Sequence, residues 1–590
     1  MKSHSQTDGA TCQPFALRSF HFHGNGAKEY LAAAMDRTIA EAIAHKLTHL
    51  EFGINLLRHS SVYTGQPVPP CGNWVLCGLS FKHFPRLARH EVLHHGPATI
   101  TRDERDADLA YTRELFRKVK AAGLGVMVWH HLRRDLPDEL AQEYPESSSG
   151  ATTFLQEWEE ATLEEYFDLL PETDMLVVTS MTETPGVHDM PDDCDPVDRL
   201  EGVFRAIHRA CQRAGKGLAI RDWGSVGNSS IAGGHIFHEA FARLPEDICV
   251  HIKNVACDFV THSEAPHPNL GAYPNRPLIV EFDVYGEYFG RADIPYVDPQ
   301  HFCNRLDGIY PFRPYGVSAR IAFECDRVGR RYPTIFHSPN AANAVVFARW
   351  AADASACPTA AGWLDIAVPA KRWQTYYWQW LSDRYGLKAA PLLARVFERT
   401  PQIVHGIFGG LWTGYWHSYN VLDHTTLPWP PDTPSRDPMA WAENDFHLVV
   451  DWLRPGTPAE HVGWCQLVSH KREALHMASR CAHEIDAEGP ALLDEADRAD
   501  LDLLLRQLVM VCRGDLITGQ LFLAVKGPKH ARVAMNLPAP EDLATDADEV
   551  ASEARAAFGE DFFGQFPLRM QTWAAWGRSG REQALANKQA

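Results

Sequence analysis

A chain of 590 residues can bury a large core, and its length suggests roughly two to four domains. Hydrophobic residues make up 45% and charged residues 22%, as in an ordinary globular protein, and 56 basic against 75 acidic side chains give a net charge of −19. That acidity argues against nucleic acid or an anionic membrane as the main partner.

After a short tail (1–14), a rhythm of apolar, β-branched runs separated by turns and amphipathic stretches extends from 15 to 345. The runs are RSFHFHG (18–24), HLEFGIN (49–55), LGVMVWHHL (124–132), MLVVTSMTE (175–183), GLAIRDWG (217–224), ICVHIKN (248–254), LIVEFDVYG (278–286) and GVSARIAFECD (316–326). Helical patterns lie between them, among them KEYLAAAMDRTIAEAIAHKL (28–47) and DLAYTRELFRKVKAAG (108–123), the latter ending on a glycine suited to a C-cap. Eight buried strands alternating with helices is the count of a (β/α)8 TIM barrel, an α/β fold. No GxGxxG follows the first run, which disfavours a doubly wound sheet. From 346 to 575 the spacing becomes that of packed helices, interrupted by the Pro-rich LPWPPDTPSRDPMAW (427–441), so a mainly α-helical C-terminal domain is expected, with a frayed tail at 576–590.

The opening residues lack the apolar run of a secretory signal, and no stretch is read as approaching ~20 consecutive apolar residues, so a cytoplasmic protein with no membrane span is expected. The 13 cysteines are scattered, without a CxxC pair, and Cys71 and Cys77 match neither a zinc nor a redox spacing. Reduced thiols are expected.

In a TIM barrel the chemistry sits at the C-terminal ends of the strands. Glu183 ends the fourth run, Asp258 follows the sixth, and Glu287 closes the seventh in IVEFDVYGEYFG (279–290). Carboxyl groups entering one cavity from different sides suit glycoside hydrolysis, in which one protonates the leaving oxygen and another activates water or attacks. Glu281 and Asp283 lie deeper in the seventh run and read as structural partners of a barrel arginine. Glu324 and Asp326 close the eighth.

The stretch HIKNVACDF (251–259) followed by APHPNLGAYPNRPLIVEFDVYGEYFG (265–290) resembles the core of glycoside hydrolase family 67, the α-glucuronidases. The likeness runs on through NAANAVVFARWAAD into the helical half. It implies a barrel followed by a helical domain and an inverting reaction that takes a terminal α-linked uronic acid, of the glucuronic or 4-O-methylglucuronic type, from oligosaccharides. By that resemblance Glu183 is the general acid, Asp258 and Glu287 are the general-base pair, and Arg221 and Lys253 meet the sugar carboxylate. It also implies no metal or organic cofactor and a homodimer through the helical domain. The family's β-sandwich before the barrel has no counterpart here, its lysine four residues before the acid is Thr179, and its QEY glutamine is Gly286. Arg58, His59, His130, His131 and Arg133 could replace that lysine.

Trp129, Trp223, Tyr285 and Tyr288 lie near strand ends, where aromatic rings serve sugars, and His130 and His131 close the third run. His21 and His23 form an HxH at the end of the first run, which opens the alternative of a metal-dependent barrel hydrolase with His251 as a partner. The bland reading of these histidines is a hydrogen bond to sugar or neighbour. A catalytically silent sugar-binding barrel is the further alternative. The charge-laced segment 101–118 reads as solvated surface, and the His94–His95 pair as a loop feature.

Overall fold

All eight apolar runs become parallel strands of one closed barrel. The computed structural model describes residues 15–22, 28–53, 78–95, 98–132, 136–147, 152–179, 194–222, 234–254, 267–284, 294–322, 334–353, 372–408, 458–527, 529–560, 562 and 566–589. In chain order the strands are β1 (Leu17–Phe22), β2 (His49–Phe52), a small antiparallel hairpin β3 (Val92–His95) and β4 (Ala98–Thr101), β5 (Gly125–His131), β6 (Met175–Thr179), β7 (Gly217–Asp222), β8 (Cys249–Lys253), β9 (Leu278–Asp283) and β10 (Gly316–Ala322). Around the barrel the order is β1-β10-β9-β8-β7-β6-β5-β2, with β2 closing on β1.

These strands read as nearly continuous apolar runs because both faces are covered. Outward positions such as Phe20, Phe52, Val128, Leu176, Ile220, Ile252, Val280 and Val317 join the large core beneath the helices. Leu17, Met127, Trp129, Val177, Ala219, Cys249 and Ile279 form a separate cluster inside the barrel. β10 opens on a glycine at its N-terminal end. There Gly316 is paired with Leu17, and a Cβ on it would lie 2.7 Å from the Leu17 Cβ and 2.9 Å from its carbonyl oxygen.

Helices α1 (Lys28–Ala44), α2 (Arg102–Ala121), α3 (Asp138–Glu143), α4 (Thr152–Leu169), α5 (Pro196–Ala214), α6 (Gly234–Ala242), α7 (Pro299–Ile309) and α8 (Ala341–Ala352) accompany the strands. α2 begins six residues before the apolar periodicity does. Thr101 caps it: its side chain accepts from the Glu104 N–H at 3.2 Å while the Glu104 carboxylate accepts from the Thr101 N–H at 2.8 Å. Its other end turns at Gly123, φ +79°. Arg105 and Asp108 of this charged segment are buried. The domain boundary expected at 345 falls inside α8, which packs on β1, β10 and α7.

The helical region follows as α9 (Arg372–Tyr385), α10 (Ala390–Phe397), α11 (Thr400–Phe408), α12 (Pro458–Leu492), α13 (Glu495–Lys526), α14 (Lys529–Ala534), α15 (Pro540–Phe558) and α16 (Phe566–Gln589). One sequence expectation, the frayed C-terminal tail, is corrected here. α13 is long and apolar enough, by length and composition, to cross a membrane, although 67% of that stretch is buried in this structure among neighbours such as α12 and α15. The last residues are helical to Gln589, because Arg, Glu, Gln, Ala and Lys are all good helix formers. A buried ion pair of this region joins Lys471 of α12 to Asp515 of α13 at 2.5 Å. Lys471 also donates to the Ile407 carbonyl at 2.8 Å.

Asp307 on α7 offers a test of the barrel–helix seam. Burial pushes its carboxyl up to about 7, against the pull of the hydrogen bond donated by Trp350 Nε1 at 2.8 Å. A carboxyl whose folded pKa is raised stabilises the fold below its ordinary value of 3.8, and that contribution is lost as pH rises through about 7. Asp307→Asn keeps the acceptor for Trp350 and cannot ionise. Thermal melts should show the variant more stable than wild type by about 1–3 kcal/mol at pH 8 and equal to it at pH 4.

Candidate active site

Stepping two residues at a time, the inward positions of several strands change from apolar to polar or charged toward the C-terminal end. Leu17 is followed by Ser19 and His21, Met127 by Trp129, Ala219 by Arg221, Cys249 by His251 and Lys253, Ile279 by Glu281 and Asp283, and Gly316 by Ser318 and Arg320. The apolar floor lies at the N-terminal end, and the charged half faces the C-terminal end where barrel chemistry occurs.

Glu51, inward on β2, is fully buried. It accepts hydrogen bonds from Trp129 Nε1, Ser318 Oγ and, at 3.3 Å, Ser19 Oγ. His251 Nε2 lies 3.1 Å from it and His21 Nδ1 4.0 Å. Burial alone would raise its pKa, but the His21 and His251 charges and the His251 hydrogen bond carry it below the usual carboxylate range.

Glu281 is the hub of the second group. Arg221 grips its Oε2 with Nη2 at 2.9 Å and Nε at 3.2 Å, while Arg320 Nη2 lies 2.9 Å from Oε1 and Lys253 Nζ 3.8 Å. Burial pushes the Glu281 carboxyl up, and Arg221, Arg320, Lys253 and His251 together hold it well below the ordinary value. Asp283 takes Lys253 at 2.9 Å and Arg320 at 3.4 Å. Glu281 and Asp283 thus have the ion-pair role expected from their depth in the run.

Comparison with known proteins bears on what such a barrel is. Over 98% of this chain and 85% of the other, it is similar to a GH138 enzyme targeting pectin rhamnogalacturonan II, at 10% identity and a TM-score of 0.56. It is also similar to CpGH84B, at 10% identity and TM-score 0.40 over 95% of this chain and 77% of that one. A GH18 chitinase from Pseudoalteromonas aurantia matches at 11% identity and TM-score 0.30 over 52% and 93%. The fold is a glycoside hydrolase-like barrel. No family model matches the chain, and no curated protein does.

Of the residues the sequence nominated, Arg221 and Lys253 come together inside the C-terminal half of the barrel, 3% and 2% exposed, both held by β9 carboxylates. Trp129 is 1% exposed, two residues before the end of β5, with the Arg221 guanidinium carbon 4.5 Å and that of Arg320 5.6 Å from its ring centroid. It is a platform for guanidinium groups rather than for a sugar ring. His130 faces outward, where its Nε2 lies 2.6 Å from Glu159 of α4, so it ties strand to helix instead of meeting substrate. His131 ends β5 in register with Thr179. Glu183, Asp258, Glu287, Trp223, Tyr285, Tyr288, Glu324, Asp326, His23, Arg58, His59, Arg133 and Gly286 lie outside the described residues. Among the described residues no group of three His, Cys, Asp or Glu side chains could hold a metal ion.

The bases of two key connections are described. Asn254 O accepts from the His267 N–H at 2.8 Å across the ends of the segment that contains Asp258. The PNLGAYPN stretch (268–275) is tied to β7, since Asp222 accepts from Tyr273 Oη at 2.7 Å and Asn269 Nδ2 at 3.0 Å. Asn340 and Asn343, both buried, bracket the segment that contains Glu287. Asn343 Nδ2 donates to the carbonyls of Val284 (3.3 Å) and Tyr296 (2.7 Å), and Asn340 Nδ2 to Ile294 (3.0 Å).

Sequence reasoning missed Glu51, Arg320, Asn340 and Asn343 as site-shaping residues. For Glu51 and Arg320 a usable signal existed: single charges within apolar runs, at even spacing from other polar residues, as in HLEF and VSAR. His94 lies on β3, half-exposed, with its ring hydrogen-bonded to Glu139 of α3.

Proposed function

We propose that the chain is a glycoside hydrolase that releases a terminal α-linked uronic acid from oligosaccharides with inversion. The observation that carries this reading is the cluster of Arg221, Lys253 and Arg320 inside the C-terminal half of a glycoside hydrolase-like barrel, where an acidic sugar would be met. The likeness to an enzyme targeting pectin rhamnogalacturonan II is consistent with an acidic glycan.

In this reading Glu183 gives its proton to the glycosidic oxygen as the bond to the anomeric carbon breaks. Asp258 and Glu287 hold a water on the opposite face and take its proton as its oxygen bonds to that carbon. The order of strands supports this division. β8 and β9, which lead toward Asp258 and Glu287, are neighbours, while β6, which leads toward Glu183, is separated from β8 by β7. An inverting pair needs ~6.5–9.5 Å between carboxyl groups to admit the water. Arg221 and Lys253 orient the sugar carboxylate by a planar fork and a point charge.

Time-resolved proton NMR of the protein with α-linked glucuronides and galacturonides tests the reading, with Glu287→Gln alongside. Free uronic acid appearing first as the β-anomer, and no release by the variant, is the expected result. First appearance as the α-anomer overturns inversion. Release of neutral sugars only overturns the uronide.

A further inference from the structure

At the rim of the barrel, Asp222 organises a second polar cluster, and its hydrogen atoms can be counted. Asp222 ends β7 and is 2% exposed, and its Oδ2 accepts from Tyr273 Oη at 2.7 Å and from Asn269 Nδ2 at 3.0 Å. His238, on α6, meets both of these donors. Its Nδ1 lies 3.1 Å from Tyr273 Oη and its Nε2 3.3 Å from Asn269 Nδ2, with the His238 and Tyr273 rings parallel to within 6°. A phenol carries one hydrogen, and Tyr273 gives it to Asp222, so His238 Nδ1 is the donor to Tyr273 Oη. An amide nitrogen donates and does not accept, so His238 Nε2 accepts from Asn269. The closed cluster therefore holds a neutral imidazole with its proton on Nδ1.

A second proton, on Nε2, would set two donors against each other across 3.3 Å. An acceptor stands close by in Asp222 Oδ2, 3.9 Å from Nε2, and it is the oxygen that Tyr273 and Asn269 share. A third of the His238 side chain is exposed, so a proton can reach it from water. We propose that His238 is a proton-operated latch on the stretch 267–276: the neutral ring closes the network that fastens this stretch to β7, and the protonated ring opens it by pairing with Asp222. The stretch stands at the C-terminal face of the barrel, where the His267 N–H also donates to the Asn254 carbonyl just past β8. The latch goes beyond the uronide reading and is the same for any substrate.

The other groups around His238 are set differently. His267 is buried and accepts from the Asn269 N–H through Nδ1 at 3.1 Å, and burial brings its pKa down to about 4. Burial and the Asp222 charge push the Tyr273 hydroxyl up. Arg276 donates to the carbonyls of Phe241 (3.0 Å) and Leu244 (2.6 Å), at and beyond the end of α6. α5 meets α6 through the edge-on rings of Phe204 and Phe237, and Glu239, next to His238 on α6, is exposed. Histidine ordinarily changes charge between about pH 5 and 8, a range over which His267 stays largely neutral.

The experiment compares the full chain at pH 8 and pH 5 with two readouts. Nitrogen-15 NMR of the histidine rings, with the His238 signal identified by its absence in His238→Phe, reports the site of the proton. Hydrogen–deuterium exchange, corrected for the intrinsic rate, reports the amides of Asn269, Leu270 and Ala272, all bonded within the stretch. At pH 8 the wild-type ring should be neutral with its proton on Nδ1. Once the ring is charged, those amides should exchange roughly 3- to 10-fold faster, the worth of one hydrogen bond. His238→Phe keeps a ring beside Tyr273 and cannot titrate, so its exchange should show no such step. A proton on Nε2 at pH 8, unchanged exchange when the ring is charged, or the same step in His238→Phe would each overturn the latch. Should His238→Phe fail to fold, His238→Gln assigns the signal and supplies the control in its place.

Discussion

Glu281→Gln is expected to destabilise the barrel by about 3–5 kcal/mol, the cost of removing one partner from a buried ion-pair network. The side chain keeps its shape, so the loss is electrostatic: of the two β9 carboxylates that Arg221, Arg320 and Lys253 meet, only Asp283 would remain charged. In a melt followed by circular dichroism, the transition assigned to the barrel should fall by roughly 10 °C. The pH dependence follows from the depressed pKa. A carboxylate held well below its ordinary value of 4.5 contributes stability that is fully present above that value and is lost only as pH falls through the folded pKa. The gap between wild type and variant should therefore be equal at pH 5 and pH 7 and close only in stronger acid. A variant as stable as wild type at pH 7 would mean that the three cations are compensated by groups other than Glu281. Arg320→Gln/Glu281→Gln, which removes one charge of each sign, should be less damaging than Glu281→Gln alone, because neighbours in one network do not add.

The barrel was legible because a parallel sheet covered on both faces writes its strands as apolar runs, and all eight were identified within a few residues. The hairpin β3–β4 was not, since two strands of four residues are too short to show a period. Depth in the strand marked Glu281 and Asp283 as ion-pair partners, and the period of two turns both inward, onto Arg221, Lys253 and Arg320. What the sequence could not convey is which charge meets which. Glu51 meets Ser318, 267 positions away, and Arg221 meets Glu281, 60 positions away. Closure of the barrel makes those pairs, and a single strand holds no trace of its partner across the axis. The same blindness made Trp129 look like a sugar platform and His130 like a ligand. Adjacent on β5, they point to opposite faces, one under two guanidinium groups and the other into Glu159.

The proposed chemistry makes its largest prediction at Glu183, and the size of the effect should depend on the substrate. A general acid is worth about 10²–10⁴-fold when the departing alkoxide must be protonated. Glu183→Gln preserves shape and removes the proton, so hydrolysis of an α-linked uronyl oligosaccharide should fall by roughly 10³-fold or more. Fluoride and 4-nitrophenolate depart without protonation, so on a uronyl fluoride or a 4-nitrophenyl uronide the same variant should keep most of its activity. Asp258→Asn and Glu287→Gln act on the water rather than the leaving group, and should depress all these substrates alike. The alkaline limb of the kcat/KM profile, which reports the acid in the free enzyme, should disappear in Glu183→Gln on the activated substrates while the acidic limb remains. Equal losses on activated and unactivated substrates would remove Glu183 from the acid role, and full activity on the oligosaccharide would remove it from the mechanism. Either result would leave the buried network of β7–β10 as the part of the site on which a different assignment of acid and base has to be built.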